Sequence, residues 1–388
     1  MATRQHSGEE LDKVREWLEG NQDSRAESMI ADLESMIAEE YPAKRVMATN
    51  SAMGALHLAL QTIDVGPGDE VIVDPIVVFG GMAAMYQHAV PVFADVDRET
   101  YNMSPTSVAE RITHRTSAII CTHHFGSAAE IEAIVEIGRE HGIPVIEDCA
   151  HALYATRNGT YAGLFGDFSA FSFNHRKQLS TGQGGFLLIN NEDYVERSLD
   201  KGFGRVPSRL NWNYAMAGVV AAVALAQWPR ARGYVETDHE LALLYEQAVE
   251  GCPWMASQAI LPENWTSYHI WAATFTGDEH GIDYEEFMTR LRENGADYFL
   301  PSFMPYGAFG LDPSPAYRYP LFSEPRAYKG GCPTRCPHYD GEVDYSEGLC
   351  PNAEYLVPRL FNTVLSPVED ERVKRYAAGL AKTIAAFS

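Results

Sequence analysis

From Arg45 to Asn190 the chain alternates short β-rich runs with amphipathic stretches, and this alternation constrains the fold more than any other feature. The runs are "EVIV" (70–73), "PVFADV" (91–96), "SAIICT" (117–122), "PVIED" (144–148), "DFSAFSF" (167–173) and "GFLLIN" (185–190). Helical patterns such as "AMGALHLALQTI" (52–63) and "AEIEAIVEIGREHG" (129–142) lie between them. Strands separated by helices form βαβ units, so the pattern predicts an α/β fold with a mostly parallel sheet sandwiched by helices. Ligands of such sheets collect at the carboxyl ends of the strands, so the residues just after each apolar run are the ones to read for chemistry.

Beyond the last run, a long helical region covers roughly 214–250. A break is expected at Pro229, because proline lacks the N–H that an interior helical position must donate. Short strands and helices then mix with Pro- and Tyr-rich loops at 300–345, and a final amphipathic helix is expected near 367–387. The expected division is a large domain over residues 1–240 and a smaller α+β C-terminal domain over 241–388.

A chain of 388 residues with 46% hydrophobic content can bury a large core. The formal net charge of −23 argues against nucleic acid or an anionic membrane as the main partner, because both need clustered Lys and Arg. No run of about 18 apolar residues is present. The polar start "MATRQHSGEELDKVREWL" lacks the layout of a signal peptide, so a cytoplasmic protein with reduced thiols is expected. One cluster, Cys332, Cys336, His338 and Cys350, is spaced so that its members could reach one another around a zinc ion or in a disulfide. It lacks a paired C-x-x-C arrangement, so a Pro/Gly-rich surface loop is the favoured reading and no metal is expected.

Three strand ends carry candidate chemistry. "VMATNSAMGALHLAL" reads as strand, small-residue turn and helix opening at Ala52, where unpaired N–H groups and the helix dipole could hold a phosphate; a plain Ser51 N-cap is the bland alternative. "PVIEDCAHA" ends with Glu147 and Asp148, followed by His151. The carboxylate could pair with a protonated ring nitrogen and the imidazole with a ring oxygen, or the two could be a cap and a structural histidine. "FSFNHRKQLSTGQGG" (171–185) places Lys177 past a strand and before a glycine-rich turn. The chain holds seven lysines, and between Arg45 and Tyr328 only Lys177 and Lys201, so the candidates for covalent amine chemistry are few. Ser172 could offer its hydroxyl to a phosphate or simply pack. Singly these signals are weak. Together, a phosphate-binding helix start, an acid for a pyridinium, an imidazole and a reactive lysine describe a site for pyridoxal phosphate.

The same segments resemble the sugar aminotransferases of the DegT/DnrJ/EryC/StrS type, among the fold-type I pyridoxal-phosphate enzymes, over nearly the whole chain. "SAMGALHLALQTIDVGPGDEVIV" is similar to the family's "SGTAALHLAL…GPGDEVIV", "IEDCAHA" to "IEDAAQA", and "SFNHRKQLSTGQGG" to "SFxxxKxLTxGEGG". "NWNYAMAGVVAAVALAQW" is similar to "GYNYRMSELQAAIALAQL". The resemblance implies that Lys177 forms the Schiff base and shuttles protons, that Asp148 pairs with the pyridine nitrogen, and that His151 contacts the ring hydroxyl. It further implies that Ser172 and the backbone of Ala52 and Met53 hold the phosphate, with Asn213 reaching over from the other subunit of a homodimer with shared active sites. Phe79 is the expected ring-stacking residue, with Val78 as the alternative in register.

Four positions depart from the family pattern: Met53 stands for Thr or Ser, Ala215 and Gly218 for an Arg and a Glu, and Gln183 for an acid. His175 and Arg176 add polar groups beside the lysine, for the substrate site or for solvent. The expected function is transfer of an amino group from L-glutamate or L-glutamine to a keto sugar or an inosose-like keto-cyclitol. The alternatives are a dehydratase or epimerase of the same fold and a non-catalytic regulatory homologue. The loops at 204–214 and 300–345 are expected to line the acceptor pocket, unless their aromatics serve packing.

Overall fold

The computed structural model describes residues 6–20, 22–202, 212–301, 313–324, 327–366 and 369–387. A seven-stranded sheet is built from β1 (Arg45–Thr49), β2 (Glu70–Val73), β3 (Val90–Phe93), β4 (Thr116–Thr122), β5 (Val145–Asp148), β8 (Phe168–Ser172) and β9 (Gly185–Ile189); β6 (Thr156–Arg157) and β7 (Thr160–Tyr161) form a short ribbon between β5 and β8. The order is β1-β9-β8-β5-β4-β2-β3. The pairs β2–β3, β2–β4, β4–β5 and β5–β8 are parallel, whereas β9 runs antiparallel to both β8 and β1. The sheet is thus mostly parallel, as the alternation predicts. The exception lies in the connection: the segment from β8 to β9 holds no crossover helix and folds back on itself, with the Phe173 N–H donating to the Gly184 carbonyl at 2.9 Å. That return carries Lys177.

Helices cover both faces. After α1 (Glu9–Glu19) and α2 (Gln22–Glu40) come α3 (Ala52–Thr62), α4 (Phe79–Tyr86), α5 (Pro105–Arg111), α6 (Ile131–His141) and α7 (Val195–Gly202). Val71 and Val73 of β2 pack in one cluster with Leu56 and Leu60 of α3 and Ala83 and Ala84 of α4. Ile72, between them, points the other way and joins Ile119 of β4 and Ile131 and Ile134 of α6. A strand buried on both faces reads as a near-continuous apolar run, which is why Val71, Ile72 and Val73 do not alternate with polar residues, while Glu70 at the strand's start is buried against Arg115 at 3.0 Å.

The expected break at Pro229 does not occur: α8 (Gly218–Val249) is one continuous helix with Pro229 inside it. An interior proline costs on the order of 3 kcal/mol. The compensation is tertiary, because α1 and α2 pack along α8, as does α12 (Asp370–Ala386), and residues such as Trp228, Ala231, Tyr234 and Val235 are buried on either side of the proline. The proposed domain boundary at 240/241 falls inside this helix.

Beyond α8 a four-stranded antiparallel sheet, order β10-β12-β14-β13, is formed by β10 (Met255–Ser257), β12 (Ile270–Phe275), β13 (Leu300–Pro301) and β14 (Leu360–Val364), while β11 (Asn264–Trp265) pairs with β6. α9 (Tyr284–Glu293), α10 (Pro320–Ser323), α11 (Pro351–Leu356) and α12 complete the chain. The final helix begins at Asp370, a few residues later than expected. No helix of the described residues is long and apolar enough to cross a membrane.

The four residues Cys332, Cys336, His338 and Cys350 do not come together as a ligand set among the described residues. Cys336 packs with Val90 and Tyr339, whereas Cys350 is buried in the main core with its thiol 3.8 Å from the Phe93 carbonyl. All six cysteines are unbridged.

Candidate active site

A cavity of about 480 Å³ opens where the carboxyl ends of β4, β5 and β8 meet the start of α3 and the edge of the second sheet. It falls within the roughly 300–1,000 Å³ typical of small-molecule and cofactor sites. Ala52, Met53, Phe79, Asp148, His151, Ser172 and Lys177 all line it.

The floor is the start of α3. Ser51 is extended, its hydroxyl accepts the Gly54 N–H at 3.0 Å and its carbonyl accepts that of Ala55. The bland reading of Ser51 as an N-cap is therefore correct. A cap consumes only part of a helix's N-terminal donors, and Ala52 and Met53, the first residues of α3, line the cavity. Gly185 passes directly beneath: a Cβ there would lie 2.9 Å from the Ala52 nitrogen and 2.2 Å from the Phe171 carbonyl oxygen.

At the end of β5 the two adjacent acids have different fates. Glu147 points away from the cavity and accepts the N–H groups of Gly163, Phe165 and Gly166 at 2.7–2.8 Å, while His123 Nε2 donates to it at 2.8 Å. His123 Nδ1 accepts the Ala129 N–H at 3.1 Å, so both ring nitrogens are committed and this buried group is structural. Asp148 faces the cavity. Burial raises its pKa, opposed by the Ala150 N–H at 3.0 Å and by the charge of Lys177.

Lys177 is half-buried, and loss of hydration lowers its ammonium pKa from 10.5 to about 7, with Asp148 acting in the opposite direction. Its Nζ lies 3.4 Å from His269 Nε2. Burial, then the charges of Lys177 and His269, push His151 well below the usual histidine range, so its ring is neutral. The half-exposed ring of Phe79 lines the cavity, whereas Val78 packs against the core.

Asn213 lies outside this cavity. It is exposed, and its carbonyl accepts Asn50 Nδ2 at 3.4 Å. Arg176 and Gln183 line the cavity and His175 does not. Of the loops expected to form the acceptor pocket, residues 204–211 and 302–312 lie outside the described residues. Leu300 lines the cavity, and the aromatics Tyr339 and Tyr345 pack instead on Glu70 and Pro91.

Sequence reading missed several contributors. His269, Ile270 and Asn362 come from the second sheet, far along the chain and without any motif. Asp74, just past the end of β2, was within reach of the strand-end rule. It accepts the N–H groups of Ile76 and Val77, the Thr122 hydroxyl at 2.6 Å and His124 Nε2 at 3.0 Å, and so fixes the loop that leads to Phe79.

Residues 4–307 match the DegT/DnrJ/EryC1/StrS aminotransferase family. The chain belongs to that family. It is 35% identical over 251 residues to GDP-perosamine synthase of Escherichia coli O157:H7, covering 63% of this chain and 69% of that one. It is 31% identical over 304 residues to the spore coat polysaccharide biosynthesis protein SpsC of Bacillus subtilis, covering 74% and 78%. Its fold is that of 3-amino-5-hydroxybenzoic acid synthase, a solved structure matched with a TM-score of 0.81 at 23% identity over 100% of this chain and 98% of that one. The protein is thus an aminotransferase of fold-type I.

Proposed function

We propose that this aminotransferase binds pyridoxal phosphate in the cavity and moves an amino group from L-glutamate or L-glutamine to a keto sugar or keto-cyclitol. The residues fit the cofactor. The N–H groups of Ala52 and Met53, with the Ser172 hydroxyl, would hold its phosphate, and Gly185 leaves room for that approach. Asp148 would keep its ring nitrogen protonated, neutral His151 would meet its ring hydroxyl, and Phe79 would cover one face of the ring. Lys177 would tether it. Bound there, pyridoxal phosphate supplies the electron sink that acidifies the substrate's α-carbon and carries the amine between two substrates.

The observation that carries this reading is the pairing of Lys177 with Asp148 in one cavity: an amine with a pKa of about 7 beside a buried acid. Such an amine is neutral often enough near pH 7 to take a proton from carbon, and basic enough to return it. The acceptor class follows from the relatives named as GDP-perosamine synthases. We propose that the enzyme works as a homodimer in the cytoplasm, with Asn213 completing the neighbouring subunit's phosphate site, because its exposed position keeps it out of its own chain's cavity.

The test is the absorbance spectrum of the protein with pyridoxal phosphate, before and after L-glutamate or L-glutamine, beside Lys177→Ala. A long-wavelength cofactor band that shifts to the shorter-wavelength band of the amine form only when Lys177 is present supports the proposal. A band that no amino donor moves overturns it. Candidate keto sugars and keto-cyclitols that restore the first band identify the acceptor.

A further inference from the structure

The segment just before β12 is tied to the loop that carries Lys177. Gln178, the next residue along, is buried and donates from Nε2 to the Ser267 carbonyl at 2.8 Å. Ser267 in turn donates its N–H to the Gly126 carbonyl at 2.9 Å and its hydroxyl to the His151 carbonyl at 3.0 Å. Its neighbour Thr266 offers its carbonyl to His239 Nδ1 at 2.8 Å. Tyr268 then takes a left-handed backbone with φ 44°, which a non-glycine residue adopts only when its surroundings impose it. The consequence of this pinning is that His269, 3% exposed, presents Nε2 to the Lys177 amine at 3.4 Å.

We infer that His269 is a positioning residue for Lys177: its neutral ring accepts a hydrogen bond from the amine, holds the amine in the cavity, and favours the protonated amine over the neutral one. The inference rests on the reading of Lys177 as the cofactor-binding lysine. The groups that also face the amine are Asp148 at the end of β5, His151 after it and Arg176 on the same loop, with Asp74 and His124 behind Asp148. Burial keeps the His269 ring well below the usual histidine range, so near neutral pH the ring is neutral, and in the tautomer with its proton on Nδ1 it accepts from the amine at Nε2 without competing with the lysine for charge. The acceptor is delivered by the second sheet, and its position against the lysine depends on the Gln178–Ser267 link.

The experiment uses cofactor-free protein, so that it does not depend on turnover. The rate of amine acylation at Lys177 is followed by peptide mass spectrometry across pH 5 to 10 for the wild type, His269→Phe, His269→Gln and Gln178→Met. Loss of the acceptor in His269→Phe is expected to lower the apparent pKa of Lys177 by about one unit, since a hydrogen bond to a charged donor is lost. His269→Gln, whose amide oxygen can still accept, restores part of the shift, and Gln178→Met moves it in the same direction by less. An unchanged Lys177 titration in a folded His269→Phe protein overturns the inference. If that variant does not fold, an unchanged titration in Gln178→Met does so. A cofactor band that amino donors fail to move, with the titration shifted as expected, removes the functional reading and leaves the His269–Lys177 pairing standing.

Discussion

Gly185 lies so close beneath the start of α3 that a Cβ on it would sit 2.9 Å from the Ala52 nitrogen. The strand β9 and the helix start share this contact, so the backbone of one sets the position of the other. Replacing Gly185 by alanine is expected to cost about 2 kcal/mol through overpacking and to weaken pyridoxal phosphate binding at least tenfold. Thermal denaturation and a cofactor titration monitored by absorbance check both.

Lys177 gives the cofactor-free protein a pH dependence of definite sign. Its folded pKa, about 7, is below the unfolded value of 10.5, so the unfolded chain binds more protons between those limits and the lysine's contribution to stability rises with pH across that window. Below pH 7 the full penalty of a desolvated ammonium is present. Lys177→Met should therefore raise the melting temperature of cofactor-free protein most at pH 6, with the gain shrinking towards pH 10. A gain independent of pH would contradict the assignment.

Asp148→Asn keeps the shape of the site and removes the charge that would hold a pyridinium proton. Turnover is expected to fall by about 10³ while the cofactor remains bound. Steady-state kinetics and the absorbance spectrum, taken on the same preparation, separate loss of chemistry from loss of cofactor.

Glu147, adjacent in sequence, should behave differently. It accepts three backbone N–H groups and His123, and Glu147→Leu would leave these buried donors unsatisfied. The expected cost is about 3 kcal/mol or more of stability, read as a lowered denaturation midpoint.

The proposed sharing of sites between subunits makes a prediction for mixtures. Asn213→Ala and Lys177→Ala should each be weakly active or inactive alone. Mixed and allowed to exchange subunits, they should regain up to about a quarter of wild-type activity, because a hybrid dimer holds one intact site. No regain in a mixture shown to have exchanged would place Asn213 outside the site.

Much of this was written in local sequence. The strands at 70–73 and 185–189 were legible as short apolar runs and the helix at 52–62 by its cap and apolar pattern, because these signals act over a few residues. Asp148 and Lys177 could be read as cavity residues because a parallel sheet gathers strand ends on one edge. Pro229 was misread because its penalty is local and its compensation is not: α1, α2 and α12 hold the helix from outside. The Cys332 to Cys350 spacing left the place of each thiol open, since nearness along a loop does not decide which core each thiol enters.

By itself the sequence determined the α/β architecture and the order of its elements, and it singled out the lysine, acid and helix start that the structure brings to one cavity, all features set by short-range pattern. Only the tertiary structure decided that β9 runs against its neighbours, that Glu147 supports a loop while Asp148 faces the cavity, and that His269 stands at the amine. The reason is physical. Which face a side chain turns to, and which distant segment it meets, depend on how two sheets pack through contacts between residues that lie far apart along the chain.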